Sequence, residues 1–265
     1  MVESYTDAVV VVSGACGGIG EAIARSFAAA GATLGLCDIR AAELDQLADE
    51  LRQSGSAVYH EAIDVTDTDA VSLFCSSASE ELQGINHLVS TVGIVDIAGD
   101  VVGLPLEVWN RALSVNLTSA FLLAKYTVPH MVSAGGGSIV NISSVSGYAN
   151  QAGAMAYSVT KAGLISLTKS QAIDLARHNI RSNAICPGSV DTPLVDIAAV
   201  LTAEETGRTA EETRKDWESQ YPTGRFSQPQ EVAELALFLC SERAANATGA
   251  SFVIDGGLRA VLPER

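Results

Sequence analysis

Positive charge is scarce in this sequence. Lysine and arginine together number 16 against 31 aspartates and glutamates, a formal net charge of −15. Only four of the basic residues are lysines (Lys125, Lys161, Lys169 and Lys215), and the pI lies near 4.5. A phosphate backbone or an anionic membrane surface would be repelled, so neither nucleic acid nor membrane is expected as a partner. Paired cysteines are missing as well. Cys16, Cys37, Cys75, Cys186 and Cys240 are odd in number and widely scattered. None forms Cys-x-x-Cys or joins a Cys/His cluster with metal spacing, so no metal site is expected. Most lie in apolar segments, which points to reduced core thiols and a cytoplasmic protein. No run approaches the roughly 20 apolar residues of a membrane helix. The first apolar run, Ala8 to Val12, is too short for a signal-peptide core. Linkers and internal repeats are also lacking, so residues 1–265 are expected to form one domain.

What is present suffices for a sizeable core: 265 residues, 48% hydrophobic and 18% charged, the balance of a soluble globular protein. Ala8 to Ser13 is a β-branched run suited to a strand buried on both faces. Gly14-Ala-Cys-Gly17-Gly18-Ile19-Gly20 follows and opens a helix over Glu21 to Ala30. Strand, glycine turn and helix N-terminus together make an anion site, where backbone N–H groups and the helix dipole meet a phosphate. Thr33 to Asp38 is a second strand ending in an acid 18 residues after Gly20. Such an acid accepts hydrogen bonds from ribose hydroxyls and repels a 2′-phosphate.

Further strands are expected over Ala57–Ile63, Asn86–Gly93, Gly137–Ser144, Ile180–Cys186 and from Ser251. Helices are expected over Ala41–Gln53, Thr68–Leu82, Leu106–Ser133 and Ala156–His178, and after Gln228. Residues 194–222 are charged and irregularly patterned, the character of a lid over a substrate. Seven strands alternating with helices define an α/β fold, a doubly wound Rossmann-type parallel sheet with helices on both faces.

The stretch Ser143-Ser144-Val-Ser-Gly-Tyr148-Ala-Asn-Gln151-Ala-Gly-Ala-Met-Ala-Tyr157-Ser-Val-Thr-Lys161 carries the chemistry. Tyr157 and Lys161 are four apart, one helical turn on the same face. An ammonium beside a phenol is expected to pull its pKa down from about 10, as a general acid/base near neutrality requires. Ser144 closes a strand 13 residues before Tyr157, from where its hydroxyl can share a substrate oxygen with the phenol.

Taken with the glycine turn, these residues resemble the short-chain dehydrogenase/reductase family, in its short single-domain form, and the resemblance spans nearly the whole chain. The glycines fit both the Gly14-x-x-x-Gly18-x-Gly20 of that form and the Gly14-x-x-Gly17-x-x-Gly20 of the family's longer epimerase-like branch. Resemblance implies an NAD-dependent oxidoreductase interconverting a secondary alcohol or diol and a ketone. Tyr157 would transfer the proton, and Lys161 would lower its pKa and bind the nicotinamide ribose. Ser144 would steady the substrate oxygen, and Asn116 would hold a relay water. The cofactor would lie along Gly14, Gly18, Ile19, Gly20, Asp38, Ile39, Asp64, Val65, Thr91, Gly93, Pro187, Gly188, Val190 and Thr192. Ser144, Gln151 and Tyr157 would meet the substrate, with Val92, Val95, Ile97, Val145 and Tyr148 lining an apolar pocket. Arg40, just past Asp38, leaves NADP as a second choice.

One departure stands out. Ser90-Thr91-Val92-Gly93 replaces the family's Asn-Asn-Ala-Gly, and Val92 is expected to narrow the nicotinamide side. By resemblance the chain forms a homotetramer through its two long helices. Two other activities remain open: a non-catalytic dinucleotide-sensing interaction protein, and an NADP-dependent 3-ketoacyl thioester reductase.

Overall fold

A computed structural model describes residues 4–261. Seven parallel strands form one sheet in the order β3-β2-β1-β4-β5-β6-β7. They are β1 (Val9–Ser13), β2 (Thr33–Asp38), β3 (Val58–Ala62), β4 (His87–Ser90), β5 (Gly137–Ile142), β6 (Ile180–Pro187) and β7 (Ser251–Ile254). The helices are α1 (Gly18–Ala29), α2 (Ala41–Gln53), α3 (Thr68–Glu81), α4 (Leu106–Leu113), α5 (Ser119–Ser133), α6 (Met155–Leu175), α7 (Pro193–Thr206), α8 (Ala210–Ser219) and α9 (Pro229–Cys240).

Every residue of β1 is buried, because helices cover both faces of the sheet. Val10 and Val12 belong to one core with Ile23, Phe27, Leu44 and Val232, beneath α1, α2 and α9. Val11 and Leu88 belong to the other with Phe74, Leu123 and Met131, beneath α3 and α5. Successive strand residues therefore feed opposite cores, as the pleat dictates. Strand order reverses between β1 and β4, and an open α/β sheet places its ligand crevice at that switch, beyond the strands' carboxyl ends.

Two expectations about helices are corrected. The single helix expected over Leu106–Ser133 is interrupted by a π-helical turn at Ser114–Thr118, which separates α4 from α5. Asn116 sits in that turn, buried, and its side chain bonds away from the helix axis. Such π turns recur at functional sites. Residues 194–222, read as irregular, instead form most of α7 and all of α8. Arg214 joins them: it bonds Asp196 on α7 at 2.6 Å, Asp191 just before it at 2.7 Å and Glu218 one turn along α8 at 3.0 Å. The helical pattern was obscured because α7 is apolar over most of its surface. Leu194, Ile197, Val200 and Leu201 remain exposed while the buried side is made of the small residues Ala199 and Ala203, so the large apolar residues do not mark the buried face.

Candidate active site

Four chain segments meet at the carboxyl ends of β1, β4, β5 and β6. The first is the glycine turn. Gly14 has φ +69°, a left-handed conformation that favours glycine, and its amide bonds the Cys37 carbonyl of β2 at 2.8 Å. A Cβ at Gly20 would collide with the Gly14 carbonyl, so the turn closes only without one. Gly17 caps α1 with no side-chain acceptor. The first-turn amides of α1, at Gly18, Ile19 and Gly20, therefore keep their capacity to bind an anion.

Thr91 replaces the family asparagine and makes a brace of its own. Its Oγ1 donates to the Ser13 carbonyl at 2.6 Å and approaches the Gly14 carbonyl at 3.2 Å, tying the end of β4 to the start of the glycine turn. Ser90 contributes nothing comparable: its buried Oγ has no partner. Val92 is partly buried and packs against the core beneath α3 and α5. Its Cγ2 also lies 3.1 Å from where a Gly14 Cβ would stand.

Asp38 ends β2 and is buried. One oxygen accepts from the Cys16 amide at 3.0 Å; the other accepts from the Arg40 amide and from Arg40 Nε, both at 3.1 Å. Burial works to raise the carboxyl pKa, but these donors outweigh it and hold the group below the usual carboxylate range. Ile39 is exposed beside it. Asp64, beyond β3, accepts from the Thr66 amide at 2.8 Å and the Thr66 hydroxyl at 2.7 Å, while Asp67 caps α3. Val65 next to Asp64 is buried.

The second segment is the Ser144–Lys161 stretch. Ser144 follows β5 and is buried; its Oγ accepts from the Ser146 amide at 3.0 Å. Tyr157 and Lys161 share the face of α6 directed at β5, with Nζ 5.5 Å from the centre of the phenol ring. Lys161 is buried and donates to the Ile142 carbonyl at 3.0 Å. Burial pulls its pKa from 10.5 down to about 8. The expected depression of Tyr157 is not what governs it here: burial pushes the phenol up, and only the Ser144 hydroxyl pulls it back. Lys161 is held by a backbone carbonyl, and burial disfavours its own charge.

Asn116 supplies the third segment. Its Oδ1 accepts from the Ile94 amide at 2.8 Å, and Nδ2 donates to the Ile94 carbonyl at 2.9 Å and to Thr160 Oγ1 at 3.1 Å. Thr160 donates in turn to the Tyr157 carbonyl at 2.7 Å. The π turn is thereby fastened to the loop after β4 and to α6. Sequence reading missed Thr160, although a hydroxyl three residues after Tyr157 was a usable signal. It also missed Ser143, whose hydroxyl donates to the Lys161 carbonyl at 2.8 Å, and the Ile142 carbonyl, a backbone group without sequence signature.

The last segment follows β6. Pro187 ends the strand, the Gly188 amide bonds the Ile254 carbonyl at 3.0 Å, and Val190 bridges to Ser227. Thr192 caps α7 and reaches the glycine turn, where a Cβ on Gly18 would stand 2.6 Å from its Cγ2. A Cβ on Gly93 would stand 3.1 Å from Lys161 Nζ. Gln151 is exposed in the loop before α6, and Val95, Ile97 and Tyr148 are also exposed. Among the described residues no cluster of His, Cys, Asp and Glu could hold a metal, and no helix is long and apolar enough to cross a membrane.

The uncapped α1 amides, the acid at the end of β2 and the lysine beneath Gly93 fit a nicotinamide dinucleotide extended across the switch point. Comparison with known proteins agrees. A family model described as Enoyl-(Acyl carrier protein) reductase matches residues 14–259. The chain is 38% identical to cis-4-hydroxycyclohexanecarboxylate dehydrogenase of Sinomonas cyclohexanicum, over 98% of this chain and 100% of that protein. It is 36% identical to a 3-oxoacyl-[acyl-carrier-protein] reductase of Thermotoga maritima, over 94% of this chain and 97% of that one. The crystal structure of L-sorbose reductase from Gluconobacter frateurii, complexed with NADPH and L-sorbose, superposes with a TM-score of 0.94 at 30% identity, covering 99% of this chain and 100% of that one. The chain belongs to the short-chain dehydrogenase/reductase family and is an oxidoreductase of that family, which binds a nicotinamide dinucleotide.

Proposed function

We propose that the protein is an NAD-dependent oxidoreductase that interconverts a secondary alcohol, or a diol, and a ketone. The observation that carries this reading is the convergence of the Ser144 hydroxyl, the Tyr157 phenol and the Lys161 ammonium at the ends of β5 and α6. Tyr157 Oη gives its proton to a ketone oxygen, or takes one from an alcohol. Ser144 Oγ holds that oxygen and stabilises the charge it develops. Lys161 has N–H groups beyond the one on Ile142, and these orient a ribose and favour the phenolate while the ammonium is charged. Asn116 holds the relay water and fixes the π turn, and Gln151 meets the substrate. The dinucleotide supplies the hydride donor or acceptor; alignment and exclusion of water fall to the protein.

The pKa directions set the pH behaviour. A phenol pushed up by burial is protonated at neutral pH, so it is poised to donate, and reduction is favoured there. Oxidation needs the phenolate, so its rate relative to reduction rises as the solution becomes more alkaline. Gly14, Gly18, Ile19 and Gly20 hold the pyrophosphate, Asp38 and Ile39 the adenosine ribose, and Asp64 and Val65 the adenine. Thr91 and Gly93 line the nicotinamide ribose, and Pro187, Gly188, Val190 and Thr192 the nicotinamide. We place the two-helix segment of residues 194–222 as the lid and the site within a single domain.

The hydroxy-substituted ring and the sugar named for two of the similar proteins support a free small molecule as substrate. A carrier-bound 3-ketoacyl thioester is the second reading, favoured by the Thermotoga maritima relative, and the matching family description also names a carrier protein. The net charge of −15 opposes encounter with an acidic carrier. The test is turnover of cyclohexanols, hydroxycyclohexanecarboxylates, sugars, diols and a carrier-linked 3-ketoacyl thioester, with NAD and with NADP, followed by absorbance of the reduced cofactor. Turnover of the free alcohols with NAD supports the proposal. Turnover confined to the thioester with NADPH replaces it, and dinucleotide binding without any turnover favours a sensing protein.

A further inference from the structure

The arginines of this chain are nearly all spoken for. Arg25, Arg40, Arg52, Arg111, Arg208, Arg214 and Arg225 each lie within ion-pair distance of a carboxylate. Arg181 is committed to three carbonyls and a hydroxyl beside β6. Arg177 and Arg243 meet no carboxylate among the described residues, but they precede β6 and β7, at the amino ends of the strands and away from the site. Arg259 alone, among the described arginines, lies beyond the carboxyl end of a strand without an acid on its guanidinium.

Its setting is built rather than free. The Arg259 guanidinium lies over the Tyr148 ring, 3.9 Å from the centroid, the geometry of a stacked cation–π contact. The nearest acid along the chain, Asp255, turns its two oxygens to the amides of Gly257 and Arg259 at 2.9 Å each. The carboxylate thus fixes the backbone of the turn after β7, and among the described residues the side chain's donors have no hydrogen-bond partner. Tyr148 stands four residues after Ser144, across a single 3-10 turn at Val145–Gly147. The Arg259 charge is also felt at Cys186, whose pKa burial raises and this guanidinium opposes. Cys186 directly precedes Pro187 and Gly188. Arg259 therefore sits over the joint between the Ser144 turn and the end of β6.

We infer that Arg259, stacked on Tyr148, is a specificity-determining residue that binds a carboxylate on the substrate, so that the preferred substrate is a hydroxy acid or keto acid. The inference rests on the alcohol–ketone reading of the Ser144–Tyr157 site and adds the charge of what enters it. In a chain of net charge −15, an anionic substrate is repelled at long range. A preorganised guanidinium with free donors is the group that overcomes this, since its planar fork matches a carboxylate bidentately. The spacing also says where the acid group belongs. A 3-10 rise of about 2 Å per residue puts Tyr148 roughly 8 Å along from Ser144. A carboxylate on the reacting carbon itself stays beside Ser144, whereas one across a ring or at the end of a short chain reaches Arg259.

Three measurements test this. First, kcat/KM with NAD is compared for 4-hydroxycyclohexanecarboxylate, its methyl ester, cyclohexanol and an α-hydroxy acid. Second, calorimetry measures binding of cyclohexanecarboxylate and cyclohexanecarboxamide to protein saturated with NAD; these have no hydroxyl to react, so binding is read apart from turnover. Third, both sets are repeated in Arg259→Gln and Arg259→Lys, with melting temperature and solution mass recorded. The expected result is a carboxylate preference of about 10- to 100-fold over the ester and the amide, weakening as salt rises. Arg259→Gln removes that preference through KM, leaves cyclohexanol turnover unchanged, and Arg259→Lys restores part of it. Equal binding of carboxylate and amide overturns the inference, as does a carboxylate preference that survives Arg259→Gln. A loss in Arg259→Gln that is equal for charged and neutral compounds, or that follows a change in mass, also overturns it. Failure of every alcohol to turn over would end the alcohol–ketone reading, while the calorimetry would still decide the role of Arg259.

Discussion

Thr91 Oγ1 and the Ser13 carbonyl are joined at 2.6 Å, and this bond ties the end of β4 to the start of the glycine turn. Thr91→Val keeps the shape and removes the hydroxyl donor, leaving the Ser13 carbonyl with the Thr91 amide at 3.3 Å. A cost of about 0.5–1.5 kcal/mol is expected, seen as a lower urea midpoint and a weaker dinucleotide Kd, and Thr91→Ser should restore both. Unchanged stability and binding in Thr91→Val would remove the brace from the account.

Lys161 is expected to cost stability while serving the chemistry. Its folded pKa, about 8, lies below the unfolded value of 10.5. The unfolded chain therefore binds more protons between these two values, and stability rises with pH across that window. Below about pH 8 the full penalty is present, on the order of 3 kcal/mol at most. Lys161→Met should accordingly be more stable than the native protein at neutral pH, with the difference closing towards about pH 10, while turnover collapses. Urea titrations at several pH values measure this; a variant less stable at neutral pH contradicts it.

Asp38 and Arg40 make opposing demands on a 2′-phosphate. The carboxylate repels it, and it also holds the Arg40 guanidinium at 3.1 Å. The native protein should therefore prefer NAD. Asp38→Ala should both weaken NAD and release Arg40 towards NADP, so the ratio of kcat/KM values moves by more than loss of NAD binding alone. Equal kcat/KM for the two cofactors in the native protein is the contrary result.

Much of this was legible in the sequence, and the reasons are local. The strands were readable because burial on both faces demands continuous apolar runs, as in Val9–Ser13. The glycine turn was readable because Gly20 admits no Cβ. Illegible features depend on what lies opposite a residue in space. Nothing in Ser90-Thr91-Val92 says that Thr91 alone finds a carbonyl while Val92 turns into the core. The π turn at Ser114–Thr118 follows from the anchoring of Asn116 to Ile94 and Thr160, residues 22 and 44 positions away. The helix α7 hid because its buried side is small, Ala199 and Ala203, while its large apolar residues face outward.

The outer faces of α5 and α6 bear on assembly. Phe121, Val159 and Ile173 are exposed there, more apolar surface than two helices packed on one sheet require. A homotetramer buried through these faces is expected, so light scattering at micromolar concentration should give four times the chain mass. A monomer mass contradicts it, and Ile173→Glu should shift the mass downward.

The central claim is that the Tyr157 hydroxyl moves the proton, and Tyr157→Phe tests it most directly because it removes one oxygen and little else. The measurement is kcat/KM on the best alcohol found with NAD, beside NADH affinity from protein fluorescence on the same samples. The account predicts a fall of at least about 100-fold in kcat/KM with NADH affinity and melting temperature essentially unchanged. Turnover within a few-fold of the native protein, in a variant that still binds NADH, would contradict it.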